Sequence, residues 1–248
     1  MIETRHISKG FTDHSVIHDI NVTFDRGKTN LIIGPSGSGK TVLMKCIVGL
    51  LEVDEGEILY DNRLFTGMSF NDKKMIRQEI GMMFQGGALF DSMNVEENVM
   101  FPLTMFTKNT AEEKLDRVNF CLKRVNLENV NKLFPAELSG GMKKRVAIAR
   151  AIAMNPSYLF CDEPNSGLDP KTSILIDNLI SEITQEYQMT TVINTHDMNS
   201  VIEIGDKIAF VYKGKLWWVG DKHAILDTDN EELNKFVYAT ELTRRLKK

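Results

Sequence analysis

The run Gly34-Pro35-Ser36-Gly37-Ser38-Gly39-Lys40-Thr41 fits the pattern G-x-x-x-x-G-K-[ST]. Glycines at 34, 37 and 39 leave the loop nearly bare of side chains, so successive backbone N–H groups can converge on a bound polyphosphate. Lys40 is expected to set its ammonium on the outer phosphates and Thr41 its hydroxyl on Mg²⁺. A strand-like run, Thr29 to Ile33, precedes the loop, and Val42, Leu43, Cys46, Ile47 and Leu50 follow at helical spacing. That strand–loop–helix setting is the one the chemistry requires. A second constellation is Tyr158-Leu159-Phe160-Cys161 ending in Asp162-Glu163. It puts two carboxylates at the carboxyl end of a buried strand, where open α/β sheets bind ligands. Asp162 suits Mg²⁺ or its water shell; Glu163 suits a general base that polarises an attacking water.

A third segment, Leu138-Ser139-Gly140-Gly141-Met142, opens the helical run to Ala153. Ser139 is a good N-cap, and with the amides of Gly140 and Gly141 it makes a second anion site at a helix N-terminus. In this company the segment resembles the signature motif of ABC ATPases. Other elements of that family follow in order. Gln85, after Gly81 to Phe84, matches the Q-loop; Ser166-Gly167-Leu168-Asp169 matches the D-loop; His196, after Val192 to Thr195, matches the switch histidine. Phe11 stands where the family carries an aromatic that stacks on adenine. The resemblance covers residues 1 to about 223 and implies ATP and Mg²⁺ as ligands. It implies catalytic roles for Glu163, His196 and Gln85, and metal contacts from Thr41, Gln85 and Asp162. Nucleotide binding falls to Phe11, residues 34–41, Ser139, Gly140, Gly141 and Asp169. It also implies a head-to-tail dimer in which the signature of one copy completes the phosphate loop of the other. Asp169 before Pro170 is equally a helix N-cap with proline at the first position.

Phe84-Gln85-Gly86-Gly87-Ala88-Leu89-Phe90 and Met142, where most of the family has Gln, resemble the ATPase subunit of Mla-type phospholipid transporters. Those work with a multispan permease, an MCE-domain lipid-binding protein and a small regulatory subunit. Gly86, where that subgroup more often has Ser, and Asn165, where the wider family commonly has Thr, depart from the pattern. The resemblance implies ATP-driven dimer closure and hydrolysis that power phospholipid transport between membranes. The nearest alternative is an ABC importer or exporter with another cargo. A soluble non-transport ABC ATPase is more remote, because the chain has one cassette and no sustained heptads. The apolar side chains of residues 86–106 then divide between lobe core and a groove for a permease helix.

The elements that must position these groups follow from periodicity. Apolar strands alternate with amphipathic helices, the pattern of a parallel sheet covered on both faces. The expected fold is α/β, a P-loop NTPase with a RecA-like, mostly parallel core sheet. An antiparallel β-subdomain is expected at the N-terminus, and a helical subdomain inserted at about residues 87–155. Residues 1–223 form the ATPase domain and 224–248 a helical extension whose basic end, Arg244 to Lys248, faces a partner or solvent.

Composition sets the outer limits. With 30 Lys+Arg against 34 Asp+Glu, the net charge of −4 argues against a nucleic-acid partner. The longest uncharged runs, Ile80–Phe90 and Ala151–Cys161 among them, fall well short of the roughly 20 apolar residues of a membrane span. The N-terminus lacks a signal-peptide layout, and Cys46, Cys121 and Cys161 read as buried reduced thiols. The location expected is cytoplasmic, peripheral on the inner face of the plasma membrane through the permease.

Overall fold

A computed structural model describes residues 1–12 and 14–238. The chain opens with two long antiparallel strands, β1 (Ile2–Phe11) and β2 (His14–Phe24), whose inward positions carry Ile2, Ile7, Ile17, Ile20 and Phe24. β3 (Thr29–Ile33) is buried at every position and runs into the glycine loop and α1 (Lys40–Ile47). β4 (Glu55–Tyr60) begins three residues before the apolar run Ile58–Tyr60, because its polar start pairs with the free edge of β1 at Ser8↔Glu55. β5 (Arg63–Leu64) closes this small sheet, followed by α2 (Phe70–Gln78) and β6 (Ile80–Met83).

The middle of the chain is helical but shorter in helix than its composition suggests. α3 (Val95–Phe106) and α4 (Ala111–Arg124) each start at a capping box, Asn94 with Glu97 and Thr110 with Glu113. α5 (Gly140–Ile152) is N-capped by Ser139, whose Oγ accepts from the Met142 amide at 3.3 Å. Residues 87–94 are loop, not helix. Beyond the lobe come β7 (Tyr158–Asp162), α6 (Pro170–Glu186), β8 (Thr190–Asn194), α7 (Met198–Ile204), the hairpin β9 (Lys207–Tyr212) and β10 (Lys215–Gly220), and α8 (Glu231–Val237).

The core sheet has the order β10-β9-β3-β8-β7-β6, parallel except for the β9–β10 hairpin. The second sheet, β2-β1-β4-β5, is antiparallel. Alternation along β3 shows how the layers meet. Leu31 and Ile33 join the apolar cluster shared with the helical lobe, while Ile32 joins the cluster shared with α1 and the antiparallel sheet. Val99, Leu103, Val118 and Val146 belong to the first cluster, so the helical lobe shares its core with the sheet. Ile225, Leu233 and Val237 enter that same cluster, and Phe236 lies 5.6 Å from the Phe210 ring. The described part of the C-terminal extension is therefore docked on β9. Leu242 and the basic end lie outside the described residues.

All three cysteines are free and buried, as their apolar surroundings predict; burial pushes the Cys161 thiol up to about 12. Among the described residues no helix is long and apolar enough to cross a membrane.

Candidate functional site

The carboxyl ends of β3, β7 and β8 lie side by side in the sheet, and the predicted chemistry collects there. After β3 the chain turns through Gly34, Gly37 and Gly39 at φ of 149°, 76° and 103°. Two of these turns demand glycine. A Cβ on Gly34 would stand 2.1 Å from the Val211 carbonyl oxygen, and one on Gly39 2.8 Å from Ile17. At Gly37 nothing lies within 4 Å, so the loop's crest is open to a ligand.

Lys40, the first residue of α1, folds back over this crest. Its Nζ donates to the Gly34 and Pro35 carbonyls at 2.8 and 3.0 Å. Burial lowers the pKa of the ammonium, opposed by the nearby Glu163 and Asp162 carboxylates. The next residue, Thr41, meets Asp162 through a group that the sequence reading leaves as a buried strand residue. Asn194 ends β8 opposite Asp162 in register, and its Nδ2 donates to Asp162 Oδ1 at 2.6 Å and to Thr41 Oγ1 at 3.2 Å. Asn194 is recognisable in retrospect as an amide closing an otherwise apolar strand.

Glu163 sits one residue past β7 with φ of 48°, a left-handed conformation that costs a non-glycine residue roughly 1 kcal/mol or more. The backbone is held there from both sides: its N–H donates to the Asn194 carbonyl at 2.9 Å, and its own carbonyl accepts from Ser166 N–H at 3.2 Å. The turn points the carboxylate at His196, whose Nδ1 lies 2.9 Å from Glu163 Oε1. His196 itself is exposed. The predicted base and the predicted switch histidine are thus in direct contact.

Other predicted residues stand around this centre. Phe11 closes β1 opposite His14 at the hairpin and is 44% exposed, so it is surface rather than core. Gln85 is exposed on a tight turn in which Gly86, Gly87 and Ala88 all have positive φ. Arg150, on α5, grips that turn by donating to the Gly87 and Ala88 carbonyls at 2.8 and 2.9 Å. The sequence pattern gives no sign of this, because the pairing spans more than sixty residues. Asp169 caps α6, its Oδ1 accepting from Thr172 N–H at 3.0 Å.

Ser139, Gly140 and Gly141 lie elsewhere, against the start of α6. A Cβ on Gly141 would press on Thr172 at 2.7 Å, and one on Gly140 would meet Leu168. Among the described residues no hydrogen bond joins 139–141 to the loop 34–41.

The ABC transporter family profile matches residues 17–166. The intermembrane phospholipid transport system ATP-binding protein MlaF of Escherichia coli (strain K12) is 36% identical over 237 residues, 96% of this chain and 88% of MlaF. The probable ribonucleotide transport ATP-binding protein mkl of Mycobacterium leprae (strain TN) is 35% identical over 236 residues, 95% of this chain and 68% of that protein. Among solved structures, the dimeric post-hydrolysis state of the ATP-binding cassette MJ0796 bound to ADP and Pi superposes with a TM-score of 0.81 at 31% identity. It covers 90% of this chain and 99% of that one. The fold is that of a P-loop ATP-binding cassette. This chain belongs to the ABC transporter family, as an ATP-binding ATPase subunit.

Proposed function

We propose that two copies of this chain bind ATP–Mg²⁺ between them, head to tail, and that hydrolysis drives a membrane permease that moves phospholipid. The observation that carries the reading is the incomplete site within one chain. Lys40, Thr41, Asp162, Glu163 and His196 converge on the glycine loop, while Ser139, Gly140 and Gly141, a ready anion site at the N-terminus of α5, lie apart from it. A second copy rotated by a two-fold axis brings its residues 139–141 to the outer phosphate. The MJ0796 cassette, similar over nearly its whole length, is dimeric.

The donors present fit the ligands. Thr41 Oγ1 and Asp162 Oδ1 are hard oxygens held by one amide, the donor type Mg²⁺ prefers, with Gln85 to approach from its turn. Ser38 Oγ and Asn194 Oδ1 are buried there without a hydrogen-bond partner. When bound, Mg²⁺ neutralises charge on the phosphates. Lys40 exchanges two carbonyl contacts for phosphate oxygens, Glu163 takes a proton from water, and His196 holds that carboxylate in line. Phe11 offers an exposed ring to the adenine, and Asp169 positions the loop ahead of α6.

A groove of about 390 Å³ between the core sheet and the helical lobe is lined by Phe84, Ala88, Phe90, Phe101, Pro102 and Phe106, together with Arg150. Its largely apolar lining suits a permease helix laid into it. Phospholipid is the cargo favoured by similarity to MlaF and by the segment 84–90; partnership with an MCE-domain protein and a small regulatory subunit follows from the same reading. The chain then works at the cytoplasmic face of the inner membrane, held by the permease. Similarity to the mycobacterial protein supports a ribonucleotide cargo as the second reading. Lipid transfer between vesicles by the reconstituted complex separates the two.

The direct test is turnover. Lys40→Ala is expected to lose ATP binding, and Glu163→Gln to bind ATP while hydrolysing it at least about a hundredfold more slowly. Substantial ATPase activity in purified Glu163→Gln protein would sink the assigned base.

A further inference from the structure

Phe11, the ring offered to adenine, has a cation beside it. Lys9, two residues earlier on β1, sets its Nζ 5.7 Å from the centre of the Phe11 ring, within the reach of a cation–π attraction. The Lys9 side chain is only 16% exposed, so its ammonium is partly desolvated, the condition under which that attraction strengthens. Asp54, immediately ahead of β4, keeps it there. Asp54 Oδ1 accepts from Lys9 Nζ at 2.5 Å, Oδ2 accepts from Gly10 N–H at 2.7 Å, and the Asp54 N–H donates to the Ser8 carbonyl at 2.9 Å. The bond from Lys9, then that from Gly10, holds the Asp54 carboxyl below its ordinary pKa, so it is charged at neutral pH. Three successive residues of β1 are thus fixed by one residue of the segment after α1.

The same strand end is tied to the glycine loop. Lys9 pairs with Ile17 across the β1–β2 hairpin, and a Cβ on Gly39 would stand 2.8 Å from Ile17 Cγ2. Cys46, on α1, lies close enough to Lys9 and Asp54 to feel both charges. The ion pair therefore sits between the ring and the helix that the glycine loop opens. Its chemistry follows from the charge distribution of the ring. A cation draws the π electrons of an aromatic ring toward itself and leaves the opposite face less negative. An electron-rich purine stacks more tightly on that face than on an unpolarised one.

We propose that Lys9, held by Asp54, is a positioning residue for the base of the nucleotide: the pair fixes the Phe11 ring relative to the phosphate loop, and the ammonium strengthens the stacking of that ring on a purine. The inference rests on the reading that Phe11 stacks on adenine.

The test is steady-state ATP turnover by the full chain, with inorganic tripolyphosphate, which carries the phosphates without a base, as a competing inhibitor. Wild type is compared with Lys9→Met, Lys9→Arg, Asp54→Asn, Phe11→Ala and the double variant of Lys9→Met with Phe11→Ala. Lys9→Met keeps the length and removes the charge. It is expected to raise the KM for ATP about three- to fivefold, the size of one cation–π contact, with kcat within about twofold and inhibition by tripolyphosphate unchanged. Lys9→Arg, which restores a cation, is expected to bring KM back to within about twofold of wild type. Asp54→Asn, which loosens the hold on Lys9, should raise KM about twofold. Phe11→Ala should raise it about tenfold, and adding Lys9→Met to it should raise it no further. A wild-type KM in Lys9→Met, alongside a raised KM in Phe11→Ala, would overturn the inference and leave the stacking intact. A rise that persists in the double variant, or that weakens tripolyphosphate equally, would also overturn it, because Lys9 would then act on the fold and not through the ring. A wild-type KM in Phe11→Ala would overturn the stacking reading and this inference together.

Discussion

At the residue scale, the site is a set of groups held in conformations they would not choose alone. Glu163 is kept left-handed by two backbone hydrogen bonds, and Lys40 is kept buried by two carbonyls. Removing the Lys40 ammonium deletes charge-assisted contacts to phosphate, each worth about 1.5–3 kcal/mol. Lys40→Ala is therefore expected to weaken ATP binding by at least about a hundredfold, measured by titration calorimetry, while the fold persists. Asp177 makes the opposite prediction for stability. Its pKa is raised from the ordinary 3.8 to about 6, chiefly by burial, so the folded chain binds this proton more readily than the unfolded chain. The stabilisation is complete below about pH 4 and is lost as the pH climbs through about 6, leaving a cost of about 3 kcal/mol at neutral pH. Asp177→Asn should accordingly melt a few degrees higher than wild type at pH 8, with the gap narrowing toward pH 5. A melting difference independent of pH would contradict this account. The glycine loop, Asp162-Glu163, Ser139-Gly140-Gly141 and His196 are legible in the sequence because each is a local run with its own chemistry. Asn194 and Arg150 are not. Each acts on a partner distant in the chain, and alone each looks like an isolated polar residue in an apolar element.

At the element scale, helices and strands with a strong apolar period are plain from the sequence. Thr29–Ile33 and Thr190–Asn194 are strands over the expected residues. α2 buries only Ile76, so no period marks it. β4 reaches back to Glu55 because the edge of β1, not its own polarity, makes it a strand. In the helical lobe, composition alone extends helix into residues 87–94, where three successive positive-φ residues begin a loop held by Arg150. That loop walls the apolar groove, and Phe90 packs on Phe101 at 4.8 Å while remaining 40% exposed. Phe90→Asp is expected to leave melting nearly unchanged and to abolish co-purification with the membrane subunit. Unchanged co-purification would count against the groove as the docking surface. The capping box of α3 offers a local check: Asn94→Ala removes an acceptor for Glu97 N–H and should cost about 1 kcal/mol in denaturant unfolding.

At the scale of the whole molecule, the proposed function treats residues 34–41 and residues 139–141 as two half-sites of one chain, joined by no hydrogen bond among the described residues. The parallel sheet gathers the glycine loop 34–41, Asp162-Glu163 and His196 at the carboxyl ends of its strands. The helical lobe holds residues 139–141 against α6. On the proposed function, ATP acts as the bond between two copies and its cleavage releases them, a population shift set by contacts that the outer phosphate alone makes. The measurement that tests this most directly is the mass of full-length Glu163→Gln in solution, by light scattering or sedimentation, without nucleotide and with saturating ATP–Mg²⁺. Protomers are expected without nucleotide and a stable species of twice the protomer mass with ATP, abolished by adding Lys40→Ala. A protein that stays monomeric at saturating ATP, or that dimerises equally well without it, would contradict the shared site.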